Sequence, residues 1–386
     1  MNDPATIANT RERLREQMPV TEKWAYMDHA AVSPLPKPTS VAMAKWLQQA
    51  SEEGDTLWLD WSAQVQSTRT EAARMIGASE EEIALVTSTT AGINFVAEGL
   101  DWQAGDNVVT LDDEFPSNLY PWMHLQDQGV ETRLVPTDNG LVDYERLAER
   151  CDDRTRLITV SWVGYKNGAR RDIDVISQIA RDKNALFLVD AIQGIGAFPL
   201  DVRQTQIDFL AADGHKWQLG PEGAGFAYIR RDCLPLLRAT GVGWNSVVQG
   251  SDFANINLNL KTTAARYEGG SQNMAGLIGL GQSLNLLNNL GVENVSASIL
   301  DITDNACEQL ASCGAELHTP RCGDNRSGIV TFSLPDVDAR AFRKHCLNSG
   351  VALACRSGRL RISLHGYNHD GDIGRLREAI RSFGTN

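Results

Sequence analysis

Between residues 81 and 230 the chain repeats one pattern, a short run of Val, Ile, Leu and Phe followed by a longer stretch with a polar face. The apolar runs predict strands at 83–88, 107–112, 131–136, 156–163, 185–190, 207–212 and 225–230. Several lack strict alternation, which is how strands read when helices cover both faces. Helical stretches are expected between them at 90–100, 117–128, 142–150 and 174–184. Strand alternating with helix predicts an α/β fold with a three-layer, mostly parallel sheet. After about Gly270 the pattern changes. Helices are expected at 274–290, 292–313, 339–350 and 370–383, with strands at 328–333 and 359–364, a compact α+β unit. The expected division is a large domain over 21–269 and a smaller one over 270–386, with a charged helix in residues 1–20 packed on the latter.

Composition narrows the partners. The formal charge of −13 argues against nucleic acid or an anionic membrane as the main partner. It leaves room for an anionic ligand in a locally basic site. The seven cysteines show no CxxC spacing and no His/Cys cluster, so no metal is expected. Free thiols in a reducing compartment are the simpler reading. The N-terminus has no apolar h-region, and no run reaches the roughly 18 apolar residues of a membrane span. A cytoplasmic protein is the expectation.

Candidate chemistry sits at strand ends, where open α/β sheets bind ligands. The 185–190 strand is almost wholly apolar and ends in Asp190. A carboxylate there is costly without a cationic partner. The next apolar strand is followed by Gly214-His215-Lys216. An Asp alone reads as a helix cap and a lysine alone as a loop lysine. Together they fit pyridoxal 5'-phosphate (PLP), with Lys216 holding the cofactor as a Schiff base and Asp190 paired with the ring nitrogen. Gln193 could donate to the ring's phenolic oxygen. Ser88, Thr89 and Thr90 end one strand and open a helix, a donor-rich place for a phosphate.

With these residues placed, the sequence resembles class V aminotransferase-type PLP enzymes, the group of cysteine desulfurases, kynureninases and isopenicillin N epimerases. The segments carrying the resemblance are Tyr26–Ala31, Val86–Asn94, Asp113–Tyr120, Val189–Gly194, Gly214–Lys216, Arg266–Ser271 and Arg359–Leu364. The resemblance implies the type I PLP-dependent transferase fold, with a seven-stranded sheet and a smaller C-terminal domain. It implies Phe115 stacked on the cofactor ring, and His215 and Thr90 near its phosphate. Ser271 would reach the phosphate in a second subunit, making the enzyme a homodimer. Arg361 would bind the substrate α-carboxylate, with Arg356, His29 and Ala30 beside it. Asp213 stands where relatives have Ser or Thr and would repel a phosphate unless it turns away or pairs with His215.

The shared first step of the family would leave Lys216 free as a base beside Cα of an amino-acid substrate. Three readings follow. The leading one is an aminotransferase or isopenicillin N epimerase-like enzyme, from the run Phe198–Arg203 through Gly220–Gly225. The alternative is a C–S or C–C lyase related to cysteine desulfurases or kynureninases. The third is a non-catalytic binding protein of the same fold. Desulfurases carry a cysteine on a loop after the arginine matched by Arg356. Here Ser357-Gly358 runs straight into the next strand, and Cys355 reads as a core residue.

Overall fold

The computed structural model describes residues 3–383. All seven expected central strands form and share one sheet. They are β1 (Ile83–Val86), β2 (Asn107–Leu111), β3 (Glu131–Val135), β4 (Thr155–Ser161), β5 (Leu186–Asp190), β6 (Phe209–Asp213) and β7 (Gly225–Ile229). The order is β1-β7-β6-β5-β4-β2-β3. Only β7 runs antiparallel to its neighbours. Helices cover both faces, so most of these strands are buried throughout. The helix Thr89–Gly99 lies so close to the sheet that a Cβ on Gly92 would stand 2.8 Å from the Ala211 methyl.

A second, four-stranded sheet is formed by β8 (Glu316–Leu317), β9 (Ile329–Ser333), β10 (Ala354–Arg356) and β11 (Arg359–Ser363), in the order β8-β9-β11-β10. Leu360 and Ile362 point from it into a second core with Phe332, Phe342 and Leu376. The N-terminal helix Pro4–Arg15 packs on Val292–Ser312, held by Arg11 to Asp301 at 2.7 Å, while Arg15 reaches Asp372 at 2.9 Å. No described helix is long and apolar enough to cross a membrane.

Three expectations change. The 117–128 stretch is not one helix. It breaks into Pro116–Asn118, Tyr120–His124 and Leu125–Gln128 because Pro116 and Pro121 lack the N–H a continuous helix needs. The helices Lys37–Glu53 and Trp58–Ile76 lay outside the elements read from the pattern. The first buries only Thr39 and leaves Val41 and Leu47 exposed, so its apolar stripe is weak. The helix Met274–Leu290, placed by its sequence pattern in the smaller domain, packs along these two helices, and its Leu277, Leu280, Leu284 and Leu287 complete the first core.

One buried ion pair ties this assembly together. Arg69 meets Glu268 at 2.6 and 3.0 Å, and both residues are buried. Arg69 also donates to Ile83 O, and Leu85 N donates to Glu268. Glu268→Ala would strand the guanidinium and is expected to cost about 3–5 kcal/mol in urea unfolding. The double variant Arg69→Met/Glu268→Leu should recover most of that loss. A single-variant cost near zero would show that the pair does not hold the edge strand.

Candidate active site

Five loops meet at the carboxyl edge of the central sheet: 87–90 after β1, 112–115 after β2, 162–165 after β4, 191–193 after β5 and 214–216 after β6. Asp190 ends β5, the middle strand, and is 2% exposed. Its Oδ1 accepts from Ile192 N at 3.2 Å, and its other oxygen has no hydrogen-bond partner among the described residues. Burial, and then the nearby Glu114 charge, push the Asp190 carboxyl up to about 7. The Ile192 N–H, Lys216 and Arg171 pull the other way. Burial brings the Lys216 amine down to about 8, against the attraction of Asp190 and with Arg361 adding to the fall. Lys216 Nζ lies 5.7 Å from the centroid of the Phe115 ring, which meets Tyr165 edge-on.

The phosphate-type residues gather on the β1 and β6 sides. Ser88 caps the helix Thr89–Gly99 by accepting from Ala91 N at 3.1 Å. Thr89 Oγ1 accepts from Asp213 N, and Thr90 Oγ1 donates to Ser117 Oγ. The hydroxyl hydrogens of Ser88 and Thr89 and the first N–H groups of the helix remain free to donate. Asp213 turns to its own chain, where Oδ1 accepts from Gly214 N at 2.7 Å and Oδ2 stands 3.0 Å from His215 Nδ1. That last contact is an ion-pair approach rather than an aligned hydrogen bond. Gln193 is largely committed, since Oε1 accepts from Trp217 Nε1 at 2.8 Å and Nε2 donates to Ala30 O at 3.1 Å. One amide N–H of Gln193 is left.

The second sheet delivers Arg361 from β11. It is 1% exposed. Nη1 donates to Tyr165 O at 2.7 Å, Nη2 lies 3.4 Å from Asp28 Oδ1, and Nε has no partner. A buried guanidinium with an orphaned N–H suits a carboxylate ligand. Arg356 is exposed at the end of β10. Ser271 is exposed and stands apart from Lys216, beside a hollow lined by Val86, Thr87 and Tyr267.

Two residues expected beside the substrate are engaged within the fold. His29 is fully buried, with Nδ1 2.9 Å from Ser363 O and Nε2 2.8 Å from Tyr367 OH. Both ring nitrogens are used inside the fold, and burial holds its pKa well below the ordinary value. Ala30 likewise donates to Ser363 Oγ and accepts from Gln193. These residues fasten the 25–31 segment to β11.

Sequence reasoning missed the network behind Asp190. Glu114 accepts from Ser161 N and Arg171 Nη1, both at 2.8 Å, and from Asn118 Nδ2 at 3.0 Å. Arg171 also bonds Asp113 at 2.6 Å and Ser161 O at 2.8 Å. The available signal was Glu114 itself, a carboxylate directly after a strand and its turn, beside the aromatic residue that had been singled out.

Residues 25–376 match the family model described as aminotransferase class-V. A probable cysteine desulfurase of Methanothermobacter thermautotrophicus is 33% identical, covering 96% of this chain and 97% of its own. The cysteine desulfurase of Salmonella agona is 30% identical over 89% of this chain and 87% of its own, and the uncharacterized aminotransferase YcbU of Bacillus subtilis 28% identical over 92% and 94%. Among solved structures, a cysteine desulfurase from Thermococcus onnurineus superposes with TM-score 0.87 at 24% identity, covering 99% of each chain. The cystine C–S lyase C-DES does so with TM-score 0.89 at 22% identity, covering 95% of this chain and all of its own. These structures share the type I PLP-dependent fold. The expected isopenicillin N epimerase-like subtype finds no support among these relatives, which lean toward C–S bond chemistry. The chain belongs to the class V aminotransferase family of PLP-dependent enzymes.

Proposed function

We propose that this protein is a PLP-dependent C–S lyase that acts on a cysteine-derived amino acid and releases the sulfur directly, without passing it to a cysteine of its own. This replaces the aminotransferase or epimerase expectation with its alternative. The names of the relatives support C–S chemistry. One observation favours direct release. In the β10–β11 pairing Ala354 faces Arg361, and Cys355 faces Leu360. Residues directly opposite across an antiparallel pair share a face, and neighbours along a strand alternate. Cys355 therefore lies on the core face with Leu360, opposite to the face that carries Arg361.

The donor set fits PLP. Asp190 keeps one oxygen without a protein partner, and Lys216 Nζ lies 5.7 Å from the Phe115 ring centroid. Ser88, Thr89 and His215 with the helix N-terminus would hold the phosphate, and Ser271 of a second copy would complete it. When bound, the cofactor supplies an electron sink at Cα. Asp190 would hold a proton at the ring nitrogen, and the remaining N–H of Gln193 would be left for the ring oxygen. Arg361 binds and orients the substrate carboxylate. Lys216 takes the Cα proton at Nζ, an amine whose pKa burial brings down from the ordinary 10.5 to about 8. The Cβ–S bond then breaks with its electron pair on sulfur. After water replaces the amino nitrogen, the products are a keto acid, ammonia and a sulfur anion. The seven free cysteines agree with a cytoplasmic location.

Three measurements test this. Adding PLP to the apoprotein should produce a visible absorption band that Lys216→Ala abolishes; a band surviving in that variant would move the attachment elsewhere. Cofactor uptake needs the neutral amine, so its rate should climb as pH rises through about 8 and then level off, short of the ordinary 10.5. The negative charge of Asp190 holds the Lys216 proton, so Asp190→Asn should shift that midpoint downward. A midpoint near 10.5 would contradict the buried site. Finally, the holoenzyme given single amino acids should form pyruvate, ammonia and released sulfur from cystine or S-substituted cysteines, and Cys355→Ser should match wild type. Alanine together with protein-bound persulfide, or keto acid formed only with an amino acceptor, would overturn the lyase assignment.

A further inference from the structure

Strands β10 and β11 are joined by Ser357 and Gly358 alone, both at positive φ (50° and 78°). Two residues in the left-handed region make a tight primed hairpin turn with little freedom. The turn sets Arg356 directly opposite Arg359. Alternation puts both on the face that carries Arg361, two residues or about 6.8 Å further along β11. Like charges directly opposite across a strand pair are destabilising. Neither arginine has a salt bridge or hydrogen bond among the described residues. This occurs in a chain where acids outnumber bases by 49 to 36.

The nearby carboxylates do not resolve it. Asp28 is engaged with Arg361 and is shared with Arg356 and Arg343. Glu316 lies beyond Ser333 and His318 on the outer strands. Arg361, Arg356 and Arg343 thus face one Asp28. Arg356 also acts on Lys216 as well as on Arg361, so it looks into the site.

From this rigid pair, which makes no salt bridge of its own among the described residues beside the α-carboxylate clamp, we propose that Arg356 and Arg359 grip a second anionic group, a carboxylate or sulfonate carried beyond the sulfur of the substrate. The substrate class is then a cysteine derivative with a charged leaving half, such as cystine, S-sulfocysteine or S-carboxymethylcysteine. Arg361 fixes the α-carboxylate, and the hairpin pair fixes the departing half, aligning the Cβ–S bond between two anchored anions. The exposed pair also draws such an anion in against the acidic surface.

This rests on the lyase assignment, and the test separates the two. The holoenzyme is assayed for pyruvate with S-carboxymethylcysteine and S-ethylcysteine, two thioethers that differ mainly in charge, and with cystine and S-sulfocysteine. The charged thioether should be preferred by about tenfold or more in kcat/KM. Arg359→Gln should cut that preference about tenfold, through KM for the charged substrate, and Arg359→Lys should restore part of it. Rising salt should erode the preference in wild type. Equal use of the two thioethers, or an unchanged ratio in Arg359→Gln, would overturn the proposal while elimination itself persists. A preference for cystine alone, with S-carboxymethylcysteine no better than S-ethylcysteine, would also overturn it, since disulfide chemistry and not charge would then decide. Absence of elimination from every sulfur amino acid would instead strike the lyase assignment.

Discussion

The site is organised around a carboxylate in the wrong place for its own comfort. Asp190 ends the middle strand of the sheet, walled by apolar neighbours, with one backbone N–H for relief. Burying an ionised carboxylate this way is among the costlier things a fold can do. The surroundings raise that cost, because Glu114 sits nearby with its own charge. Arg171 does not cancel it, being bonded to Glu114, Asp113 and Ser161 O. What results is an unpartnered oxygen with strong affinity for a proton or a cation. A pyridinium nitrogen would satisfy it, which makes stability and cofactor binding one problem here.

Lys216 shares the dilemma with the opposite sign. Burial drives off its proton while Asp190 draws it back. Its backbone is fixed by the neighbours on either side. Asp213 binds Thr89 and Gly214, and Trp217 is fully buried, donating to Gln193 while its carbonyl meets His365 Nε2 at 3.0 Å. His29, His365, Tyr367 and Trp217 form one buried aromatic cluster. This packing joins the 25–31 segment, the second sheet and the lysine loop into one body. The position of Arg361 relative to Lys216 is therefore set by side-chain packing as well as by chain connectivity.

The legible parts of the sequence were those governed by local physics. The central strands were readable because burial on both faces forces continuous apolar runs, and Asp190 stood out because it interrupts one. Met274–Leu290 was readable as a helix, yet its partners were not, since a periodic stripe does not name what covers it. The helix Lys37–Glu53 was lost because it buries little, whereas Trp58–Ile76 buries Trp61, Val65, Ala72 and Ile76 and went unread all the same. The structural partners of His29 were not legible, because Ser363 and Tyr367 lie more than 330 residues away in sequence. Glu114 failed to register for the same reason: its partners Ser161 and Arg171 meet it only when β2 and β4 pair.

Cys355 illustrates the limit of motif arguments most sharply. Its sequence position, one residue before Arg356, leaves its direction open. The register decides it, through the pairing of Cys355 with Leu360. The same register forbids a simple repair. A two-residue turn whose residues both sit at positive φ has no slack to carry a thiol toward Lys216, and a β-carbon is already disfavoured at such angles. A thiol acceptor would need inserted residues that dissolve the hairpin, and with it the fixed opposition of Arg356 and Arg359. A mobile sulfur-accepting loop and a rigid two-arginine turn are thus alternative uses of one stretch of chain. This chain has the turn, which ties the fate of the sulfur to the length of the connection between two strands.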